Sequence, residues 1–168
     1  PLIIAAEIIL EINNQLMLPG ALKNTNGEHI PTIVAFGKIE GKGATNVIPN
    51  TVEIAGTFRT MDEAWRGEVH QQLQNIIRSF SDKYGIESVL RIEHGYPFLV
   101  NDAEFTESCS QAASAYLGDK NVEELPLRMT AEDFAFITQK VPSCFFRLGT
   151  ANASKGINSG VHTPTFDI

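Results

Sequence analysis

Apolar and polar positions alternate most regularly between Thr51 and Arg59. Val52, Ile54, Gly56 and Phe58 fall on one side and Thr51, Glu53, Ala55, Thr57 and Arg59 on the other, the period of two that a half-buried strand requires. Arg59 ends this strand on its polar face. Upstream, Thr32 to Ile39 is apolar and β-branched enough for a partner strand. The connecting stretch, Gly41 to Asn50, mixes Gly, Thr, Asn and Pro as a bulge or tight turn does, and Pro49 bars a central paired strand there. Downstream the period changes to that of a helix. Trp65, Val69, Leu73, Ile76, Phe80 and Tyr84 recur at spacings of three and four, with Thr60 and Glu63 as a capping box and Gly85 as the stop. An N-terminal helix is expected to bury Ile3, Ala6, Ile9, Leu10, Ile12 and Leu16 and to end at Pro19 and Gly20. The polar loop that follows holds a solvated His29. Ile86 to His94 reads as a third strand with Leu90 and Ile92 on one face, while His70 falls at the edge of the helical stripe. The order helix, strand, strand, helix, strand is a ferredoxin-like βαββαβ unit that lacks its first strand.

Pro97 and the Asn101, Asp102 pair then break the periodicity, as a crossing between two domains would, so the expected division is 1–95 and 96–168. Asn101 or Asp102 caps a helix whose apolar face is Phe105, Cys109, Ala112, Ala113 and Tyr116, ended by Gly118. The stretch from Leu125 to Thr150 reads as strand, short helix, strand. Thr130 can cap that helix, with Asp133 at its third position and Glu132 beside it. Two acids in a first turn are what a helix dipole favours, so the pattern alone favours a structural role for them over a catalytic one. Ser143 to Leu148 is an apolar strand ending at Gly149. A loop rich in Gly, Ser and Asn then delivers His162 ahead of Thr163 and Pro164. A histidine in such a loop suits a metal ligand, yet zinc takes about three or four protein ligands and no others are placed by spacing. The pattern likewise leaves Asn46 and Arg59 open between solvated residues and a seat for a carboxylate, which a guanidinium binds bidentately.

Charge and cysteine usage narrow the partners. The net charge of −7, from 13 basic and 20 acidic residues, argues against nucleic acid and anionic membrane surfaces. Cys109 and Cys144 form no CxxC pair, so neither a disulfide framework nor a zinc knuckle is expected, and a reducing cytoplasm fits best. Cys109 reads as a core thiol, having no basic partner nearby to lower its pKa. No apolar run approaches the ~20 residues of a membrane span.

Six stretches taken together are specific: ATNVIPN, TVEIAGTFRT, YPFLVND, MTAEDF, FFRLGT and GVHTPTFD. In this order they resemble the C-terminal part of the zinc-dependent amidohydrolases and metallopeptidases of clan MH. The likeness is strongest to the branch of hippurate hydrolase, N-acyl-L-amino acid amidohydrolase, N-acetyldiaminopimelate deacetylase and the auxin-conjugate hydrolases, with carboxypeptidase G and aminoacylase as relatives.

The resemblance implies an α/β (α+β) enzyme in which a ferredoxin-like lid, also the dimerisation domain, is inserted into an α/β catalytic domain with two divalent metal ions. Zinc is expected first, manganese or cobalt as alternatives. Residues 1–95 would be most of the lid and 96–168 the returning part of the catalytic domain. By position, His162 matches the last metal-ligand histidine, Asn46 and Arg59 match lid residues that contact the substrate, and Glu132 and Asp133 match an acidic pair near the active site. The other metal ligands, the general-base glutamate expected upstream of Pro1 and the lid histidine are absent from this sequence. Asn24 to Glu28 is a polar insertion that the family does not match. The resemblance thus implies a fragment of a bacterial amidohydrolase of N-acyl amino acids, cytoplasmic and dimeric through the lid, inactive and metal-free by itself. Two other readings stand beside it: a non-catalytic ferredoxin-like binding module, and an aminopeptidase or dipeptidase of the same clan.

Overall fold

A computed structural model of the chain describes residues 1–17 and 29–166. The expected helix stop at Pro19 and Gly20 and the polar stretch Asn24 to Glu28 lie outside the described residues. The fold is mixed α/β, and it divides into two compact units, residues 1–100 with 123–140, and residues 101–122 with 141–168.

The first unit is built on a hairpin. Strands β1 (Thr32–Glu40) and β2 (Glu53–Thr60) pair antiparallel, with Arg59 opposite Ile33 at one end and Glu53 opposite Glu40 at the other. The connection between them closes on a two-residue turn. Ala44 and Val47 exchange both backbone hydrogen bonds, at 3.1 and 3.0 Å, across Thr45 and Asn46. The turn folds the Val47 carbonyl so tightly onto Gly43 that a Cβ there would lie 2.4 Å from it, which leaves glycine the only fit. The alternation holds: Val52, Ile54 and Phe58 are half-buried while Glu53, Ala55, Thr57 and Arg59 are exposed.

Helices α1 (Leu2–Met17) and α2 (Glu63–Tyr84) complete this unit's core. Ile8, Ile12 and Leu16 meet Trp65, Val69, Ile76 and Phe80, with Val34, Phe36, Ile54 and Phe58 of the sheet packed against them. Each such side chain contributes on the order of 1.5–3 kcal/mol by burial. The buried stripe of α1 is Ala5, Ile8, Ile12 and Leu16, not the one expected; Ile3 and Leu10 remain 76% and 60% exposed. Because α1 carries isoleucine and leucine on more than one face, its contacts with α2 and β1 select the stripe, and periodicity alone could not.

The start of α2 also differs from expectation. Asp62 is the N-cap, accepting the Trp65 amide at 2.9 Å, whereas Thr60 is the buried last residue of β2, and its hydroxyl accepts the Asp62 amide. Both residue types can cap, and strand pairing claims Thr60 first. Gly85 ends the helix in the left-handed conformation, φ 61°, as a C-terminal stop requires.

Ile86 to His94 is not a paired strand, and the same is true of Leu125–Met129 and Ser143–Leu148. These segments carry strand-like sequences, but a strand exists only where a neighbouring strand shares its hydrogen-bond ladder, and the sheet among the described residues consists of β1 and β2.

The second unit centres on α3 (Ala103–Leu117), capped by Asp102, which accepts the Phe105 amide at 2.8 Å, and ended by Gly118 and a 3₁₀ turn, Asp119–Asn121. Asn101 has a different task. Its side chain accepts the Phe145 amide at 2.7 Å and donates to the Phe145 carbonyl at 3.0 Å, while the Asp102 amide donates to Ser143. The expected apolar face of α3 is only partly covered: Cys109 and Ala113 are half-buried, but Tyr116 is 88% exposed. Among the described residues no helix is long and apolar enough to cross a membrane.

Candidate functional site

Strand β2 carries Arg59 to the end of the hairpin where α2 begins. Its guanidinium is exposed and donates from Nη1 to the Met129 carbonyl at 2.7 Å. Met129 opens the segment that contains Glu132 and Asp133, so the arginine and the stretch bearing the acidic pair, 70 residues apart, meet in one place. A guanidinium holding one carbonyl keeps further N–H groups for a ligand.

The acidic pair is not in the first turn of a capped helix, as the sequence suggested. Helix α4 is only Ala135–Thr138, its N-cap is Phe134 without a side-chain bond, and Thr130 stands before the turn rather than at the cap. The carbonyls of Glu132 and Asp133 accept the Ala135 and Phe136 amides at 3.1 and 3.0 Å. Their backbone therefore shapes the turn. Glu132 is half-buried and Asp133 exposed.

A strap formed by Tyr96 to Phe98 joins α2 to α4. Arg66 donates to the Tyr96 carbonyl at 3.2 Å, Glu63 accepts the Phe98 amide at 3.3 Å, and Gln139 donates to the Phe98 carbonyl at 3.2 Å. Glu63 and Arg66 form an ion pair at 3.0 Å, and Tyr96 packs edge-on against Phe136. None of this was visible in the sequence beyond the i, i+3 spacing of Glu63 and Arg66, which signals a helix-surface pair.

Asn46 and Arg59 are not brought together. Arg59 lies six residues from the Glu53 end of β2, about 20 Å at the rise of a strand, and the Asn46 turn lies beyond that end. One carboxylate cannot touch both within a single hairpin. Asn46 is exposed at the tip of its turn.

His162 belongs to the second unit. It is exposed and takes a positive φ of 68°, the one non-glycine residue among those described to do so. Its turn is held by the Thr163 hydroxyl donating to the Gly160 carbonyl at 2.8 Å and the Phe166 amide donating to the Thr163 carbonyl at 3.1 Å. A backbone of this kind costs on the order of 1 kcal/mol or more, and such strain gathers at functional loops. Among the described residues no three His, Cys, Asp or Glu side chains converge.

His29 is exposed, as expected. His70 and His94 form a pair that the sequence did not reveal. Their rings meet edge to face with centroids 4.9 Å apart, and His70 also lies against Phe58. Burial, then the neighbouring His94 and Arg66, push the His70 pKa below its ordinary value, with Glu63 opposing. As pH falls, the unfolded chain therefore takes up this proton before the folded one does. The contribution to stability is full above the unfolded value of about 6.5 and is lost as pH falls from there through the depressed folded value. Thermal melts should show a lower Tm at pH 5.5 than at 7.5, and His70→Gln should shrink that difference. An unchanged difference in the variant would remove His70 as its source.

With this geometry in hand, likeness to known proteins decides the family. The profile of Peptidase family M20/M25/M40 matches residues 9–168. The chain belongs to this family. It is 31% identical over 137 residues to thermostable carboxypeptidase 2 of Saccharolobus solfataricus, covering 81% of this chain and 34% of that protein. It is 28% identical over 136 residues to the N-acetyldiaminopimelate deacetylase of Exiguobacterium sibiricum, covering 81% and 35%. A crystal structure assigned as an aminohydrolase, from methicillin-resistant Staphylococcus aureus, superposes with a TM-score of 0.71 at 26% identity, covering 99% of this chain and 41% of that one. The M20 chain thus spans between a third and about two-fifths of the length of these relatives.

Proposed function

We propose that this chain is part of a metal-dependent amidohydrolase that cleaves the amide bond of N-acyl amino acids of the hippurate or N-acetyl type. The observation that carries the reading is the exposed Arg59 guanidinium beside the Glu132, Asp133 segment, in a chain similar to a deacetylase of an acylated amino acid. In this reading residues 1–95 serve as lid and dimerisation domain, and 96–168 return to the catalytic domain. Arg59 binds the carboxylate of the amino-acid moiety, so that binding energy away from the scissile bond orients the amide. Asn46, about 20 Å away at the far end of the hairpin, contacts a substrate molecule other than the one that Arg59 of the same hairpin holds. Glu132 and Asp133 border the site, and His162 is one ligand of a centre holding two divalent ions, zinc first, whose remaining ligands and general base come from outside this sequence. No catalytic step follows from the residues of this chain alone. The whole enzyme is proposed to be a cytoplasmic homodimer.

Arg59→Ala in the longer enzyme tests the reading. The loss of a charge-assisted hydrogen bond to substrate should lower kcat/KM for N-acyl amino acids by about 2–3 kcal/mol, roughly 30- to 150-fold, with little change in Tm. Arg59→Lys should rescue poorly, because an ammonium cannot form the bidentate fork. Equal kcat/KM for variant and parent would sink the assignment. A panel of N-acyl amino acids against peptides separates an amidohydrolase from the peptidase reading that the carboxypeptidase likeness favours. Light scattering on the same preparations reads the dimer.

A further inference from the structure

We propose that His70 and His94 form a two-imidazole site for a divalent transition-metal ion of the nickel, copper or zinc kind. Both lie in the first unit, whereas His162 belongs to the second. Their rings meet with centroids 4.9 Å apart and planes at 89°. Two imidazoles on one ion, each nitrogen at about 2.0–2.1 Å and the pair about 90–110° apart around it, set their ring centres about 4.5–5.2 Å from each other. The observed spacing is therefore already that of a chelate. What remains is to turn one nitrogen of each ring toward the shared point. His70 is half-buried, with the Phe58 ring 6.3 Å from its own, and His94 is exposed, so an ion reaches the pair from solvent.

Neighbouring contacts hold the two histidines in register. Arg66 donates to the Tyr96 carbonyl at 3.2 Å, and Glu63 accepts the Phe98 amide at 3.3 Å. The segment from His94 to Phe98 thus runs back along the start of α2, with His94 at His70, Tyr96 at Arg66 and Phe98 at Glu63. Glu63, Arg66 and His70 share one face of the helix. An ion bound there meets side chains whose backbones are already placed, so little order is left to impose. The arginines close by in the chain are compensated, Arg66 by Glu63 at 3.0 Å and Arg91 by Glu93 at 3.8 Å, and the net charge of −7 favours a cation. Imidazole suits zinc, copper and nickel, whereas magnesium and calcium prefer oxygen ligands. Two protein ligands hold an ion less tightly than the four of a closed site, so this one exchanges and leaves on dialysis. While bound, it ties the Tyr96 to Phe98 strap to α2 through side chains 24 positions apart in the chain.

The test titrates the 168-residue chain with nickel chloride by isothermal calorimetry, with magnesium chloride as control, and follows thermal melts by circular dichroism. One nickel ion per chain is expected. Tm should rise in nickel, return on adding EDTA and stay unmoved in magnesium, because the unfolded chain no longer holds the two imidazoles together. The double variant His29→Gln, His162→Gln leaves His70 and His94 as the chain's two histidines and should bind nickel as the parent does. His70→Gln and His94→Gln should each weaken binding by about tenfold or more, since one imidazole remains. No uptake by the parent, loss of binding in the double variant, or an affinity in His94→Gln within about threefold of the parent's would overturn the proposal. His94 is exposed, so its variant decides the matter even where His70→Gln fails to fold.

Discussion

Prepared alone and dialysed, the 168-residue chain should retain no stoichiometric zinc, manganese or cobalt, and should hydrolyse hippurate or N-acetyl amino acids no faster than buffer does. The reason is ligand arithmetic. A catalytic zinc takes about three protein ligands and a water, at roughly 2.0–2.3 Å, and a dinuclear centre needs more. Among the described residues no three candidate ligands converge. His70 and His94 supply two imidazoles in the first unit, and Cys109 and Cys144 two thiols in the second. His162 offers a single imidazole on an exposed turn, which binds a divalent ion only weakly. The whole enzyme proposed above should both hold metal and turn over, and His162→Ala in it should deplete one metal and abolish activity. Metal analysis finding two tightly held ions per 168-residue chain, or turnover by that chain, would overturn both the fragment reading and the place given to His162.

Trp65→Ala should destabilise the first unit by about 3–5 kcal/mol, the cost of emptying a buried indole from a packed core. Trp65 is 7% exposed and sits in the first turn of α2, where it fixes three elements at once. Its ring packs in the cluster with Ile8, Ile12 and Val69. Its indole N–H donates to the Thr32 hydroxyl at 3.2 Å, and that hydroxyl donates on to the Ile30 carbonyl at 3.2 Å, tying the start of β1 to the helix. Its backbone amide completes the Asp62 cap. For a unit of this size each kcal/mol shifts Tm by roughly 4–8 °C, so a drop of at least about 12 °C is expected in melts followed by far-ultraviolet circular dichroism. Trp65→Phe, which keeps most of the volume, should lose far less. A Tm within a few degrees of the parent's for Trp65→Ala would show that the indole does not anchor this core. The same variant bears on function, since β2 and α2 together place Arg59, and a loosened α2 would lower kcat/KM through geometry alone.

Which features could be read ahead of the structure follows from the range of the forces that set them. The hairpin strands, the stripe from Trp65 to Phe80 and the Gly85 stop are local, fixed by side-chain period and backbone preference within a few residues, and they stand as the pattern implied. The six motifs in order carried the family in the same way, because each is a short, contiguous string. Local pattern failed wherever two candidates of equal local merit competed. Asp62 and Thr60 can both cap, and only the pairing of Thr60 with Thr32 decided between them. Two apolar stripes were available on α1, and contact with α2 and β1 buried Ile8 and left Leu10 outside.

The candidate site divides along the same line. The chemical types of Arg59, Asn46, Glu132, Asp133 and His162, and their places on strand, turn and loop, are properties of the amino-acid sequence itself. That Arg59 meets Met129 across 70 residues, that the hairpin holds Asn46 at its other end, and that His70 faces His94 were decided only by the tertiary structure. Distances between residues far apart in the chain arise from how buried faces stack and how strands register. No single stretch of sequence contains both partners of such a contact, so no local period or propensity can encode it.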